Sequence, residues 1–240
     1  MHLRVILPVI GESLLDHVRT EAEAWALPTT TISVVALERG TASIESEYDE
    51  ALSAPGILDR IEECVTDGVD GVFITCFGDP GVHAAREIID APVVGGFEPA
   101  VLTAMSLGER IGIVTVLPNV LPMLRGIARR YGVDNRIGAI RVVDIPVLGL
   151  EEDNSLLVDR LEEQAAAVIE SDAADVIILG CTGMLGVADE LERRLAARGL
   201  AAPVVDPTGA AITWLESSVR MGLTPSRRTY MAPPAKARQL

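Results

Sequence analysis

Two cysteines stand in matching surroundings. "VFITCFGDPG" (72–81) and "VIILGCTGML" (176–185) each carry a β-like apolar run into a thiol and then a glycine. A thiolate can act as a base and a thiol as an acid, so a facing pair can take a proton from one side of a carbon and return one to the other. Removing a proton beside a carbonyl moves charge onto the oxygen, where backbone N–H groups next to glycine can hold it. Gly78 and Gly183 supply such positions beside Cys76 and Cys181, with Phe77 and Thr182 between. A free thiol titrates near ~8.5, and a helix starting just beyond it would lower that value. The third cysteine, Cys64 in "IEECV", reads instead as core filler on a helix face.

Short Val/Ile-rich segments alternate with longer stretches of helical periodicity, the pattern of a parallel sheet covered by helices. The pattern predicts strands at 3–8, 31–37, 71–76, 92–95, 111–116, 139–147, 175–180 and 203–206, and helices at 11–26, 44–67, 80–90, 98–108, 118–131, 151–172, 183–198 and 209–222. "DGVDGVFITCFG" (67–78) overlays "DAADVIILGCTG" (172–183) at a constant offset of 105, and "APVVG" (91–95) recurs as "APVVD" (202–206). The chain therefore reads as α/β, with two pseudo-symmetric Rossmann-like lobes, each a mainly parallel sheet flanked by helices. The expected division is 1–97 and 98–208, with helix 209–222 returning to the first lobe and a basic tail over 223–240. Each cysteine then lies just past the carboxyl end of a strand, where open α/β sheets bind ligands. Facing lobes would bring both thiols into one interlobe cleft.

Composition narrows the ligand. Twenty basic against 35 acidic residues give a net charge of −15, which opposes nucleic-acid phosphates and anionic membrane surfaces. No apolar run approaches the ~18 residues of a membrane span, and three cysteines make no disulfide framework. These features predict a reduced, cytoplasmic protein with a small-molecule substrate. His2, His17 and His83 have no HExxH spacing and the cysteines no CxxC pair, so no metal site is expected. His83 reads as a helix-surface residue. GxGxxG after the first strand and GxxxxGK[ST] are both missing, and Val82 stands where a phosphate-binding cysteine loop would carry arginine.

"TCFGDPG" together with "LGCTGM" closely resembles the hydantoin and allantoin racemases of the aspartate/glutamate racemase superfamily. The likeness extends to "ASIESEYDEAL" (42–52), "PVVGGFEPA" (92–100), "VDPTGAA" (205–211) and the Tyr/Pro-containing tail. It implies a racemase that needs no cofactor, with its site between two lobes and Cys76 and Cys181 as the acid/base pair. Thr75, Phe77, Gly78, Thr182 and Gly183 would line the substrate pocket, and Glu98 and Asp206 match acidic positions suited to helix capping or to orienting the site. One motif departs: the family's Asn-Pro-Asn after the first strand is replaced by Leu7-Pro8-Val9, and Gly209 stands where relatives often have glutamate. Pro8, Val9 and Leu117 are expected to make one apolar wall, with Ser43 and Ile44 on another, favouring a substrate less polar than allantoin or an ordinary amino acid.

The resemblance also implies a homo-oligomer, and Arg227, Arg228, Lys236 and Arg238 in the tail would then meet an acidic neighbouring subunit. The acidic stretch 149–164 reads as a solvated helix start capped near Asp153 or Asn154. The leading function is racemisation of a 5-substituted hydantoin or related amide. The alternatives are a decarboxylase or cis–trans isomerase of the same superfamily, or a noncatalytic small-molecule binding protein. Decarboxylases of the superfamily typically keep only the second cysteine, so the presence of both favours racemisation.

Overall fold

The structure is a computed structural model and describes residues 1–237. Its elements run in chain order as β1 (His2–Ile10), α1 (Leu15–Trp25), β2 (Thr31–Leu37), α2 (Glu47–Asp67), β3 (Gly71–Ile74), α3 (Val82–Ile88), β4 (Val93–Val94), α4 (Phe97–Leu107), β5 (Ile111–Thr115), α5 (Leu121–Tyr131), β6 (Ile137–Val142), α6 (Asn154–Asp172), β7 (Val176–Leu179), α7 (Ala188–Ala197), β8 (Val204–Val205) and α8 (Pro207–Arg220). The strands form two parallel four-stranded sheets, ordered β2-β1-β3-β4 and β6-β5-β7-β8. One connectivity is therefore used twice, as the internal repeat predicted.

Side-chain alternation explains why both faces of each sheet are covered. Along β1, Leu3, Val5, Leu7 and Val9 join the core under α1 and α8, while Ile6 joins Ile57, Ile61 and Cys64 of α2 on the opposite face. Cys64 is fully buried there, the packing role its sequence context predicted. The helix after each sheet's last strand crosses to the other sheet: α4 packs on β5, β7 and β8, and α8 packs on β3 and β4. Ala211, Ile212 and Leu215 of α8 are each fully buried; the two larger side chains contribute roughly 1.5–3 kcal/mol apiece from burial. This exchange of helices ties the sheets together and fixes their strand ends relative to one another.

Local chemistry sets the helix ends. Ser46 accepts from the Asp49 amide at the start of α2, and Asp153 accepts from the Leu156 amide at the start of α6. Asp206 accepts from the Gly209 amide, with Pro207 as the first helical residue, so α8 begins two residues earlier than periodicity indicated. The strand expected over 139–147 instead spans Ile137–Val142. Asp144, with φ 58°, turns the chain out of the extended conformation, and Val147–Gly149 form a 3-10 turn.

The tail folds back on its own chain. Arg227 pairs with Asp90 (2.6 Å) and donates to the carbonyls of Arg86 and Ile89, while Arg86 donates to the Tyr230 hydroxyl (3.1 Å). The Arg227 side chain, expected to reach a neighbouring subunit, is thus engaged on the C-terminal end of α3. Arg238 lies outside the described residues.

Candidate active site

Both thiols open onto one cavity of about 80 Å³, walled by Leu7, Pro8, Val9, Leu14, Val18, Ala42, Ile44, Thr75, Cys76, Phe77, Val147, Glu151, Cys181, Thr182, Gly183 and Leu185. The carboxyl ends of β1, β3 and β7 deliver Leu7 to Val9, Thr75 to Phe77 and Cys181 to Gly183 with Leu185, and the start of α1, the β2–α2 segment and the β6–α6 segment supply the rest. Nine of the sequence-predicted residues meet here: Pro8, Val9, Ile44, Thr75, Cys76, Phe77, Cys181, Thr182 and Gly183. Ser43, Gly78 and Leu117 do not line this cavity. The Ser43 carbonyl accepts from the Thr41 hydroxyl, Leu117 packs against the core of the second sheet, and Gly78 faces a separate opening between α2 and α5.

The two thiols sit in the same local turn. Gly183 donates its N–H to Cys181 Sγ (3.3 Å), and the Gly78 amide does the same for Cys76. Main-chain closure repeats too, with Asp79 N donating to the Cys76 carbonyl (3.3 Å) and Met184 N to the Cys181 carbonyl (3.2 Å). Both donors are closely packed. A Cβ on Gly78 would stand 3.0 Å from Met123 Cε, and one on Gly183 would stand 3.2 Å from Leu150 Cδ1.

The expected lowering of the thiol pKa values is reversed. The helices α3 and α7 begin at Val82 and Ala188, well beyond Cys76 and Cys181, so their positive ends do not abut the sulfurs. Burial pushes Cys181 up to about 11, with the Gly183 amide pulling down and Glu45 adding a smaller upward push. Cys76 is driven higher still by burial, opposed by the Gly78 amide and reinforced by Cys181, Glu50 and Asp79. Ionising one sulfur therefore discourages the other, and the pair favours one thiolate and one thiol over the dianion. Cys181 ionises first. Alkylation of the ligand-free protein by iodoacetamide, mapped by mass spectrometry, should label Cys181 before Cys76 at every pH. The Cys181 rate should climb about tenfold per pH unit through neutrality and level only near pH 11. Faster labelling of Cys76, or a plateau at pH 8–9, would contradict this order.

The two acidic residues that follow β4 and β8 serve the frame. Asp206 caps α8 and is pushed up to about 6 by burial, while Glu98 is ion-paired with Arg86. His83, expected on a helix surface, is half-buried on α3. Its ring lies between Tyr131 and Tyr230 with Nε2 buried and unpartnered among the described residues, and burial lowers its pKa to about 4.

Residues 3–215 match the family described as Asp/Glu/Hydantoin racemase. The chain belongs to this family, and it is a racemase. It is 38% identical to a hydantoin racemase of Pseudomonas sp. (strain NS671) over 237 residues, covering 98% of this chain and 93% of that one. The structure superposes on allantoin racemase from Klebsiella pneumoniae with a TM-score of 0.93 at 36% identity, covering 100% and 96% of the two chains. Arylmalonate decarboxylase shares the fold, with a TM-score of 0.65 at 20% identity over 96% and 97% of the chains.

The racemase fold makes the local departures informative. Leu7, Pro8 and Val9 all line the cavity, so the wall expected to be apolar from the replacement of Asn-Pro-Asn is so, without Leu117. At Gly209 a Cβ would meet the Trp25 ring at 2.7 Å; the indole occupies the space a glutamate side chain would need. Sequence reasoning missed the rest of the rim. Leu14 and Val18 are spaced i, i+4 about the start of α1, a signal of a shared helix face. Val147 and Glu151 lie in the irregular segment before α6, which periodicity had assigned to the end of a strand (139–147) and the start of a helix (151–172). His17 Nδ1 meets Glu151 Oε1 at 2.7 Å and the Val147 amide donates to Glu45 (2.6 Å), joining that segment to the first sheet's side of the cavity.

Proposed function

We propose that the chain inverts C5 of 5-monosubstituted hydantoins bearing an uncharged apolar substituent, with Cys76 and Cys181 as the two acid/base groups. The carrying observation is that both thiols line one cavity whose β1 wall is Leu7, Pro8 and Val9. One sulfur, as thiolate, takes the C5 proton; the electron pair moves onto the adjacent carbonyl oxygen, and the opposite thiol returns a proton to C5 from the other face. The sulfurs end with protonation exchanged: the pair carries one proton before and after inversion and two while the charge rests on the carbonyl oxygen. In a desolvated cavity the N–H groups of Phe77 and Thr182, the cavity-lining residues next to the cysteines, act strongly on the developing oxyanion.

The identity to a hydantoin racemase supports the ring, and the apolar wall supports the substituent. An allantoin-like ureido group would leave polar atoms unpaired against Leu7 and Val9, an arrangement costing on the order of 1–3 kcal/mol per group. The same reading divides the chain near residue 97, with α8 counted to the first lobe. The cavity, at about 80 Å³, is well below the ~300 Å³ usual for ligand sites, so its walls must move apart to admit a substituted ring.

Single enantiomers of 5-(2-methylpropyl)hydantoin and of allantoin, incubated with the protein in heavy water, test the proposal. Optical rotation and deuterium at C5 should change together for the alkyl hydantoin, with kcat/KM at least tenfold above that for allantoin. Preference for allantoin would sink the substrate assignment, and binding without exchange would sink the chemistry.

A further inference from the structure

We propose that Asp79 is a positioning residue for one half of the reaction only: its buried carboxylate sets where the Cys76 thiol stands, and the Cys181 turn has no counterpart. The inference rests on the reading of Cys76 as an acid/base group.

Asp79 occupies the left-handed backbone region, with φ 51°, in a non-glycine residue that is 6% exposed. Such a conformation is costly for a side-chain-bearing residue and persists where the surroundings hold it. Three donors do so. Asp79 Oδ1 accepts from the Phe97 amide (2.8 Å), and Oδ2 accepts from the Glu98 amide (3.2 Å) and the Tyr131 hydroxyl (3.2 Å). The first two are leading amides of α4, whose own flanking residue, Gly96, has no side chain to cap them. Tyr131 is the last residue of α5.

The main chain completes the junction. Asp79 N and Gly96 N both donate to the Cys76 carbonyl, at 3.3 and 3.0 Å. Gly95 is pressed so closely that a Cβ there would stand 2.2 Å from Asp79 Oδ1. One carboxylate therefore fastens the Cys76 turn to the start of α4 and the end of α5, and the residue before it, Gly78, gives its N–H to the thiol. The charged and titratable groups around it are Glu98 with its partner Arg86, Tyr131 and Cys76 itself. Burial raises the Asp79 carboxyl to about 7 against the pull of the two amides.

The repeat offset of 105 places Met184 where Asp79 stands in the first copy. Met184 closes its turn with the same amide-to-carbonyl bond but buries an apolar side chain, 1% exposed, in the second core. The thiols share a turn and differ in what anchors it.

The test is Asp79→Asn in the full chain, with the two enantiomers of 5-(2-methylpropyl)hydantoin followed separately in heavy water. The amide keeps the shape but presents an N–H₂ to donors that need an acceptor. Inversion should fall at least tenfold in kcat with KM within about twofold. Deuterium washout without inversion should persist for the enantiomer whose proton faces Cys181 and fall for the other. Cys76→Ser and Cys181→Ser identify which enantiomer is which. If the asparagine variant does not fold, Tyr131→Phe removes one donor and should give the same one-sided loss, smaller in size. Equal loss of washout on both faces, or no loss, overturns the Asp79 assignment alone. No exchange in the wild-type chain overturns the racemase chemistry proposed above, a result separable from the first.

Discussion

Replacing either Cys76 or Cys181 with serine is expected to lower the kcat for inversion of an alkyl hydantoin by about 10²- to 10⁴-fold, the range for loss of a positioned acid or base. A serine hydroxyl is a far weaker acid than a thiol, so it neither yields the base nor donates readily to the carbanion. The loss should be similar in both directions of reaction, because every inversion uses both sulfurs. What separates the variants is exchange. Each retains one thiol, and that thiol can still take the proton facing it, let deuterium in from solvent and return it to the same face. Cys181→Ser should therefore wash deuterium into one enantiomer and Cys76→Ser into the other, both without change of optical rotation. Cys64→Ala is the control: that sulfur is wholly buried between α2 and the first sheet, away from the cavity, so the change should lower stability and leave kcat alone. Polarimetry with mass spectrometry on the same samples checks all three. Near wild-type inversion in either serine variant would remove the assigned roles.

Much of this site was legible in the sequence because the repeat carries it. A motif copied at constant spacing, each time at the end of a Val/Ile run, places two side chains at equivalent points on two sheets. The structure returns the same strand order in both. Strand 31–37 emerged with the bounds periodicity gave it, and α2 and α6 ended at the predicted residues because alternation and caps agreed there. Three features were not legible. The sign of the thiol shifts depends on how much protein surrounds each sulfur, a sum over distant residues that local spacing does not encode; burial outweighs the single amide that each turn supplies. The end of β6 depends on Asp144 adopting positive φ, which an aspartate tolerates but does not announce. The rim at Leu14, Val18, Val147 and Glu151 exists only once α1 and the segment before α6 meet across the sheets.

Gly96→Ala should be the second large effect, because this glycine is where the two thiol-bearing turns touch. A Cβ added at Gly96 would stand 2.9 Å from Thr182 Cγ2, 3.3 Å from the Cys76 carbonyl oxygen and 3.3 Å from Phe77 Cα. The φ at Gly96 is −86°, so alanine meets no backbone penalty and the cost is contact alone. Neither neighbour yields easily. The Cys76 oxygen is held by two amides, and Thr182, buried beside Cys181, is β-branched and stiff about its first torsion. The methyl must push the Cys76 turn and the Thr182 side chain apart, and a displacement approaching 1 Å between groups addressing opposite faces of one atom costs on the order of 10² in kcat. Overpacking of this kind also lowers stability by about 1–3 kcal/mol. Removing the opposing methyl relieves the clash, so Gly96→Ala with Thr182→Ser should recover a large part of kcat. The double-mutant cycle should show favourable coupling between positions that belong to different sheets. Additive losses would mean that the turns are not in contact through these atoms, and an unchanged kcat in Gly96→Ala would mean that the spacing of the sulfurs does not depend on them.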